Sequence, residues 1–314
     1  MQTTLPAAPD AAAFNLLLEL THPNGAMQAP EMVAAVNDPH FNQHTFLQMV
    51  RWHRVTPQVY QRLAAAGSDL PADFFQRLQA ENMHCRQQHL RQATWLAGIA
   101  RALRTDRVAF IVPKGAALSQ RLYGNQGYRQ CRDIDIMVDA ENVDRVEAIL
   151  FAAGFMRTMP HAEATPKQLR FLDRHKKDRE YIHGRDRTRV ELHWRLIDVA
   201  HPFNPSLKEL LADAEWVSIH GESIPTLSGP LLWLYQCLHG SVSGWYRLRW
   251  LCDIALLMHD HPPAWHALLQ QAKKYHCRNS LLEAVGLACA FYRMPVPVEP
   301  FSLISTIISP FSAR

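Results

Sequence analysis

Two hydrophobic rhythms alternate along the chain. Phe14 to Leu20 is a short apolar run near the start. From Ala72 to Arg104, the positions Phe75, Leu78, Met83, Leu90, Trp95, Ile99 and Leu103 recur at spacings that fit an amphipathic helix, or two in succession. Thr105-Asp106 ends that pattern, so the part before residue 105 reads as helical.

The rhythm then shortens. Val108–Val112 is an apolar run enriched in β-formers, predicted as a buried strand that Pro113 stops. Gly115–Leu122 reads as a short helix. Asp133-Ile-Asp-Ile-Met-Val138 alternates acidic and apolar positions, which is strand periodicity with one polar face. Glu141–Ala153 returns to helical spacing, with Gly154 as its C-terminal cap. Arg179–His183 and Arg189–Leu196 flank Gly184-Arg-Asp-Arg-Thr188, a hairpin signal with a loop of about five residues. This order predicts a small mixed sheet covered by helices. Helical spacing resumes at Leu231–His239, Trp245–Met258, Pro263–Tyr275 and Ser280–Tyr292. The tail from Pro295 to Arg314 is expected to be mobile. The pattern divides the chain into a helical region (1–104), a mixed core (105–226) and a second helical region (227–314).

Composition narrows the class. The 314 residues are 48% hydrophobic and 20% charged, which is enough apolar material to bury a sizeable core. A net charge of +4 lacks the strong clustered bias of a dedicated nucleic-acid binder, although a nucleic-acid partner is not excluded. It is compatible with a site for a polyanion such as a triphosphate. The six cysteines are scattered and form no CxxC pair, so zinc-ribbon and thioredoxin readings have no support. A reduced, cytoplasmic protein is expected. The start lacks the basic-then-apolar pattern of a signal peptide, and no apolar run approaches the roughly 18 residues of a membrane span.

The candidate chemistry lies in the acidic strand. Residues two apart on a strand point to one side, about 7 Å apart, so Asp133 and Asp135 share a face while Ile134 and Ile136 face the core. Two carboxylates aimed at one spot repel and normally need a cation between them. Magnesium takes oxygen ligands and keeps phosphate oxygens in its shell. In Arg189–Leu196, Val190, Leu192 and Trp194 alternate with Glu191, His193 and Arg195. A neighbouring strand in that register places Glu191 beside the Asp pair, and three carboxylates can hold two metals for in-line displacement at phosphorus. The bland reading is an edge strand with two solvated acids.

Pro113-Lys-Gly-Ala-Ala-Leu118, Leu122-Tyr-Gly124, Arg129 and Asp133–Val138 together resemble the core of the uncharacterised bacterial nucleotidyltransferases of the polymerase-beta superfamily. The resemblance continues through Val190-Glu-Leu-His-Trp-Arg195, Leu238-His-Gly240 and Trp245–Asp253, covering roughly residues 90 to 260. It implies an α+β fold: a polymerase-beta-type core flanked by N- and C-terminal helical regions. It also implies an enzyme of EC 2.7.7 type that moves an NMP from an NTP to an acceptor hydroxyl, with Mg2+ or Mn2+ as cofactor.

By position, the resemblance gives Asp133, Asp135 and Glu191 the metal. Glu191 either activates the acceptor hydroxyl or completes the second metal site. Lys114 and Gly115 match the phosphate-binding glycine turn at a helix start, and Arg129 matches a bidentate phosphate clamp. Three departures stand out. Ala116 follows the glycine where serine or glycine is usual. Residues 116 to 132 form a longer spacer than the most familiar form. Arg132 precedes Asp133, where it can neutralise the cluster or point to the other side.

Several weaker signals keep two readings. His193 shares a face with Glu191 and is either a phosphate or proton-transfer group or a structural histidine. Arg249 and Asp253 are four apart on a helix and either pair with each other or serve nucleotide binding. Trp245 and Trp250 read as core. His239-Gly240 marks a possible helix end near the cleft. The basic stretch from Arg170 to Arg189 reads as a solvated hairpin, with Lys176 and Lys177 as secondary phosphate candidates. The acceptor is open: a small molecule, a peptide or protein, or RNA. The competing class is a degenerate nucleotide-binding or scaffold protein that keeps the fold, for which Ala116 and Arg132 speak.

Overall fold

A computed structural model describes residues 10–297 apart from 26, 68, 162, 199–200 and 296. The tail expectation falls almost wholly outside the described residues. Four short helices lead: α1 (Ala11–Thr21), α2 (Ala29–Asn37), α3 (Gln43–His53) and α4 (Thr56–Ala65). Asp10 caps the first by accepting the N–H groups of Ala12 and Ala13. A single helix, α5 (Ala72–Thr105), then runs for 34 residues. Met83 and Leu90, expected on its apolar face, are exposed at 47% and 59%. The buried face turns polar mid-helix because Asn82, Cys85, His89 and Gln92 line it there. Gln88 donates to the Cys131 carbonyl (3.1 Å), and the Cys131 N–H donates to His89 Nε2 (3.2 Å). The middle of α5 thus fixes the loop that leads into the acidic strand.

Next come α6 (Ala116–Tyr123), β1 (Asp133–Met137), a 3-10 turn and α7 (Val143–Ala152), β2 (Phe155–Met159), α8 (Pro166–His175), β3 (Asp178–His183) and β4 (Arg189–His193). After α9 (Leu207–Ala212) a separate hairpin, β5 (Glu215–Ile219) and β6 (Glu222–Thr226), precedes α10 (Gly229–Val242), α11 (Leu248–Asp260), α12 (Trp265–Lys274) and α13 (Arg278–Tyr292). The sheet order is β1-β4-β3-β2, with β1 parallel to β4 and the other pairs antiparallel. The predicted mixed α+β architecture is therefore present, and both acidic segments lie in one sheet.

Val108–Val112 is not a full strand. It makes single bridges, Ile111 to Met137 of β1 and Val112 to Thr226 of β6, which tie the two sheets together. Residues 194–196 leave the ladder, so β4 ends at His193. His239-Gly240 is not a helix end, since α10 continues to Val242.

Two apolar clusters hold these elements. Ile134, Ile136, Val190, Leu192 and Tyr181 point from one face of the sheet into a core shared with α7 and the C-terminal half of α5. The second cluster pools helices from both ends of the chain, from Leu17 and Val59 to Leu234 and Leu281. With one face of the sheet committed to the core, the acidic residues of β1, β3 and β4 are left to the other, whereas Arg179 shares the core face with Tyr181 and pairs with Asp144 of α7.

Candidate active site

The register of β1 against β4 builds the site. Asp135 pairs with Glu191 and Met137 with His193 across the parallel ladder. Glu180 and Asp178 of β3 lie opposite Glu191 and His193. Side chains two apart share a face, so Asp135, Glu191 and His193 converge. Their ligand atoms lie within 4.8 Å of one another.

Lys114 reaches into this group from the turn that follows the Ile111–Val112 bridges. Its Nζ is 2.8 Å from Asp135 Oδ1 and 3.7 Å from Glu191 Oε2. His193 Nε2 is 3.1 Å from Asp135 Oδ1 and 3.3 Å from Glu191 Oε2, while its Nδ1 is 3.7 Å from Asp178 Oδ2. Gly115 allows the turn. Its φ of 75° and ψ of −141° suit glycine alone, and it starts α6 beside the Asp133 carbonyl.

The charges are strongly coupled. Burial opposes the Lys114 ammonium, but Asp135 and its neighbours hold its pKa well above the usual lysine range. Burial also opposes the Asp135 carboxylate, yet Lys114 and His193 hold its pKa below the usual range. Burial and the adjacent Asp135 and Asp133 push Glu191 up. His193 is raised despite burial, because it hydrogen-bonds both Asp135 and Glu191. The group therefore holds a proton-rich imidazole between two unlike carboxylates.

Asp135 Oδ2 is buried and has no hydrogen-bond partner. A buried, unpaired carboxylate oxygen is costly and invites a cation or donor. Together with Glu191 it offers carboxylate oxygens that fit a divalent ion, and the imidazole can join as an N donor only once it has lost its proton. Asp133 is half-buried on the same strand face but outside this compact trio. Arg132 is exposed and is not among the groups that contact the trio.

The other expected residues are distributed differently. The Arg129 guanidinium is buried and committed to Asp253, Nε to Oδ2 at 2.7 Å, with Tyr123 donating to Oδ1 at 2.9 Å. Arg249 does not hydrogen-bond Asp253; its Nη1 donates to the Gln130 carbonyl (2.6 Å). Lys177 pairs with Asp178 at 3.3 Å, close enough to feel Lys114 and Glu191. Lys176 is exposed at the end of α8. In the basic stretch, Arg179 is not solvated. It is buried and donates to Asp173 and Asp144. Arg195 caps α8 through the carbonyls of Asp173, Arg174 and Lys176.

Tyr235 on α10 was not legible as a site residue, and His239 only as part of a helix end near the cleft. Tyr235 is buried within the fields of Lys114, Asp135, Lys177 and Glu191. Burial and the nearby cations, Lys114 first, push His239 well below the usual histidine range. Their four-residue spacing on one helix face was the available signal.

The pattern of the uncharacterised nucleotidyltransferase family matches residues 39–293, and the chain belongs to that family. Among solved structures, an antigenic nucleotidyltransferase-like protein from Paracoccidioides brasiliensis is similar at 17% identity and a TM-score of 0.36, covering 62% of this chain and 92% of that one. No curated protein matches. Among the described residues, no helix is long and apolar enough to cross a membrane.

Proposed function

We propose that the protein is a metal-dependent nucleotidyltransferase of the polymerase-beta type: acceptor-OH and NTP give acceptor-O-NMP and pyrophosphate. The observation that carries this reading is the trio of buried Asp135 and His193 with half-buried Glu191, with one Asp135 oxygen left unpaired. Asp135 and Glu191 would hold Mg2+ or Mn2+, with Asp133 completing the acidic face and the protonated His193 as a hydrogen-bond donor beside them. The ion would neutralise the phosphates and orient them for in-line attack.

The chain's own groups suit the remaining tasks. Glu191, whose pKa is raised, is the better base for the acceptor hydroxyl, because His193 is already stabilised in its protonated form. The Gly115 turn at the start of α6, with Lys114, Lys177, Lys176 and Arg249, supplies donors for the phosphates. Arg129 is assigned to the scaffold. The described parts of the regions 1–104 and 227–314 serve as the helical frame around the 105–226 core.

A second reading has one specific support: Lys114 already sits on Asp135 as a built-in cation. Under that reading the protein binds nucleotide without turnover. Isothermal titration with each NTP, with and without magnesium, separates the two, together with incubation of cell extract with alpha-labelled NTPs. Transfer of label that Asp135→Asn abolishes supports catalysis. Metal-independent binding with no labelled product and no pyrophosphate release supports the scaffold.

A further inference from the structure

The first turn of α11 carries charge of the wrong sign. A helix N-terminus is partially positive and favours acids. No acid lies in the first turn of α11, where Arg247 is the N-cap and Arg249 follows two residues later. Both arginines are buried, at 5% and 7% exposure. Arg54 approaches from the end of α3, where it is the left-handed C-cap.

Contacts fix these segments against one another. Arg247 Nη1 donates to the Trp52 carbonyl. The Leu248 N–H donates to His53 Nδ1 at 3.1 Å. Arg249 Nη1 donates to the Gln130 carbonyl, three residues before Asp133. The Arg247 guanidinium lies 4.9 Å from the ring centroids of both Trp52 and Tyr246. The fold therefore fixes the Arg247 and Arg249 guanidinium groups, and it brings the end of α3, with Arg54, against them.

Their donors are not used up. The Nε atoms of Arg54, Arg247 and Arg249 are buried and have no acceptor. Asp253, on the same helix, is taken by Arg129 and Tyr123. Burial, followed by the repulsion of Arg249, Arg132 and Arg247, lowers the Arg54 pKa to about 9, with Asp133 the acid that opposes the shift. Cations with unpaired N–H groups near a helix start favour an anion. Forked donors in that number suit the several oxygens of a phosphate.

We propose that Arg54, Arg247 and Arg249 form a phosphate-binding subsite at the N-terminus of α11, on the Asp133 side of the Asp135–Glu191–His193 trio. It takes a phosphate of a phosphorylated substrate, either the NTP's own or one carried by the acceptor. The choice between these sources rests on the nucleotidyltransferase reading; the subsite itself does not.

The test is isothermal titration of the full-length protein with inorganic tripolyphosphate in excess chelator. Arg54→Gln removes a half-buried cation that makes no side-chain hydrogen bond among the described residues. Arg249→Lys keeps the charge and loses the fork. Circular dichroism confirms the fold of each. Wild type should bind, and each variant should bind at least about tenfold more weakly. No binding by wild type, or unchanged affinity in both variants, overturns the subsite. If ATP competes with tripolyphosphate and Arg54→Gln weakens both, the phosphate is the nucleotide's. If tripolyphosphate still binds under saturating ATP and Arg54→Gln spares ATP, it is the acceptor's. Pyrophosphate release by wild type is assayed separately, so failure of the subsite and failure of transfer are read separately.

Discussion

Asp253 and Asp135 are both buried carboxylates, and each meets a buried cation, Arg129 at 2.7 Å and Lys114 at 2.8 Å. They differ in their second oxygen. In Asp253 one oxygen takes Arg129 and the other takes Tyr123, so the group is closed. In Asp135 one oxygen takes both Lys114 and His193, and the other has no partner. A closed pair joins α11 to the loop before β1 and needs nothing further. An open pair keeps a charged oxygen desolvated, a cost that a fold tolerates where a ligand completes the site. The arginine chosen for the closed pair and the lysine in the open one fit this division. A guanidinium forks across fixed partners, whereas an ammonium is a mobile point charge that can shift toward a phosphate.

The largest effect should come from the open pair. Asp135→Asn keeps volume and removes the charge. NMP transfer or pyrophosphate release should fall by at least about 10³-fold, equivalent to roughly 4 kcal/mol of transition-state stabilisation. Turnover within tenfold of wild type would place the metal elsewhere. The closed pair should answer with stability. Arg129→Met leaves Asp253 buried with only Tyr123 and should cost about 3–5 kcal/mol in urea unfolding. Arg129→Met combined with Asp253→Leu should recover most of that loss. If the single variant is fully stable but binds NTP tenfold more weakly, Arg129 belongs to the phosphates and the comparison breaks.

The sequence made the open pair more legible than the closed one. Asp-x-Asp with apolar alternation fixes a strand face, and Glu191 and His193 follow the same rule on the next strand. Local periodicity therefore carries the site. Lys114 was expected at phosphate because its neighbour Gly115 marks the turn; its pairing with Asp135 depends on how the Ile111–Val112 bridges aim that turn. The Arg129–Asp253 pair spans 124 residues, and no periodicity encodes such a partner. Asp253 instead has Arg249 four residues before it, a local partner that tertiary packing overrides. The β5–β6 hairpin was missed although it has a signal. His220-Gly221, both at positive φ, is a two-residue turn between strands. β2 was missed because Phe155–Met159 alternates weakly, with Met156 and Met159 exposed.

Acid should weaken the closed side of the molecule. His53 Nδ1 accepts the Leu248 N–H, and His89 Nε2 accepts the Cys131 N–H, so both rings must keep an unprotonated nitrogen. Burial, with Arg247 beside His53, lowers that histidine's pKa from 6.5 to about 4. Burial likewise lowers His89 to about 4. In the unfolded chain both rings bind a proton near the ordinary value. Their stabilisation is therefore complete above about pH 6.5 and is lost as pH falls toward 4, by up to about 3 kcal/mol for each ring. Urea midpoints across that range measure it. His89→Gln, which still offers an acceptor and does not titrate there, should flatten the curve. An unchanged slope would mean that His89 is not held neutral.

Gly115→Ala should have the smallest effect on folding and the most direct bearing on the open pair. An added Cβ would meet only the Asp133 carbonyl, at an ordinary 3.8 Å, so space is not the constraint. The constraint is the backbone, since φ 75° with ψ −141° is a region that L side chains rarely adopt. The strain should cost about 1–2 kcal/mol, seen as a lower melting temperature. The chain can escape that strain by rotating the turn, which would carry the Lys114 ammonium off Asp135 and shift the start of α6. A drop in NTP affinity larger than the stability loss explains would show that the turn sets the geometry of the open pair. A variant with wild-type stability and wild-type NTP affinity would show that the turn relaxes freely, and that Lys114 reaches Asp135 by its own flexibility.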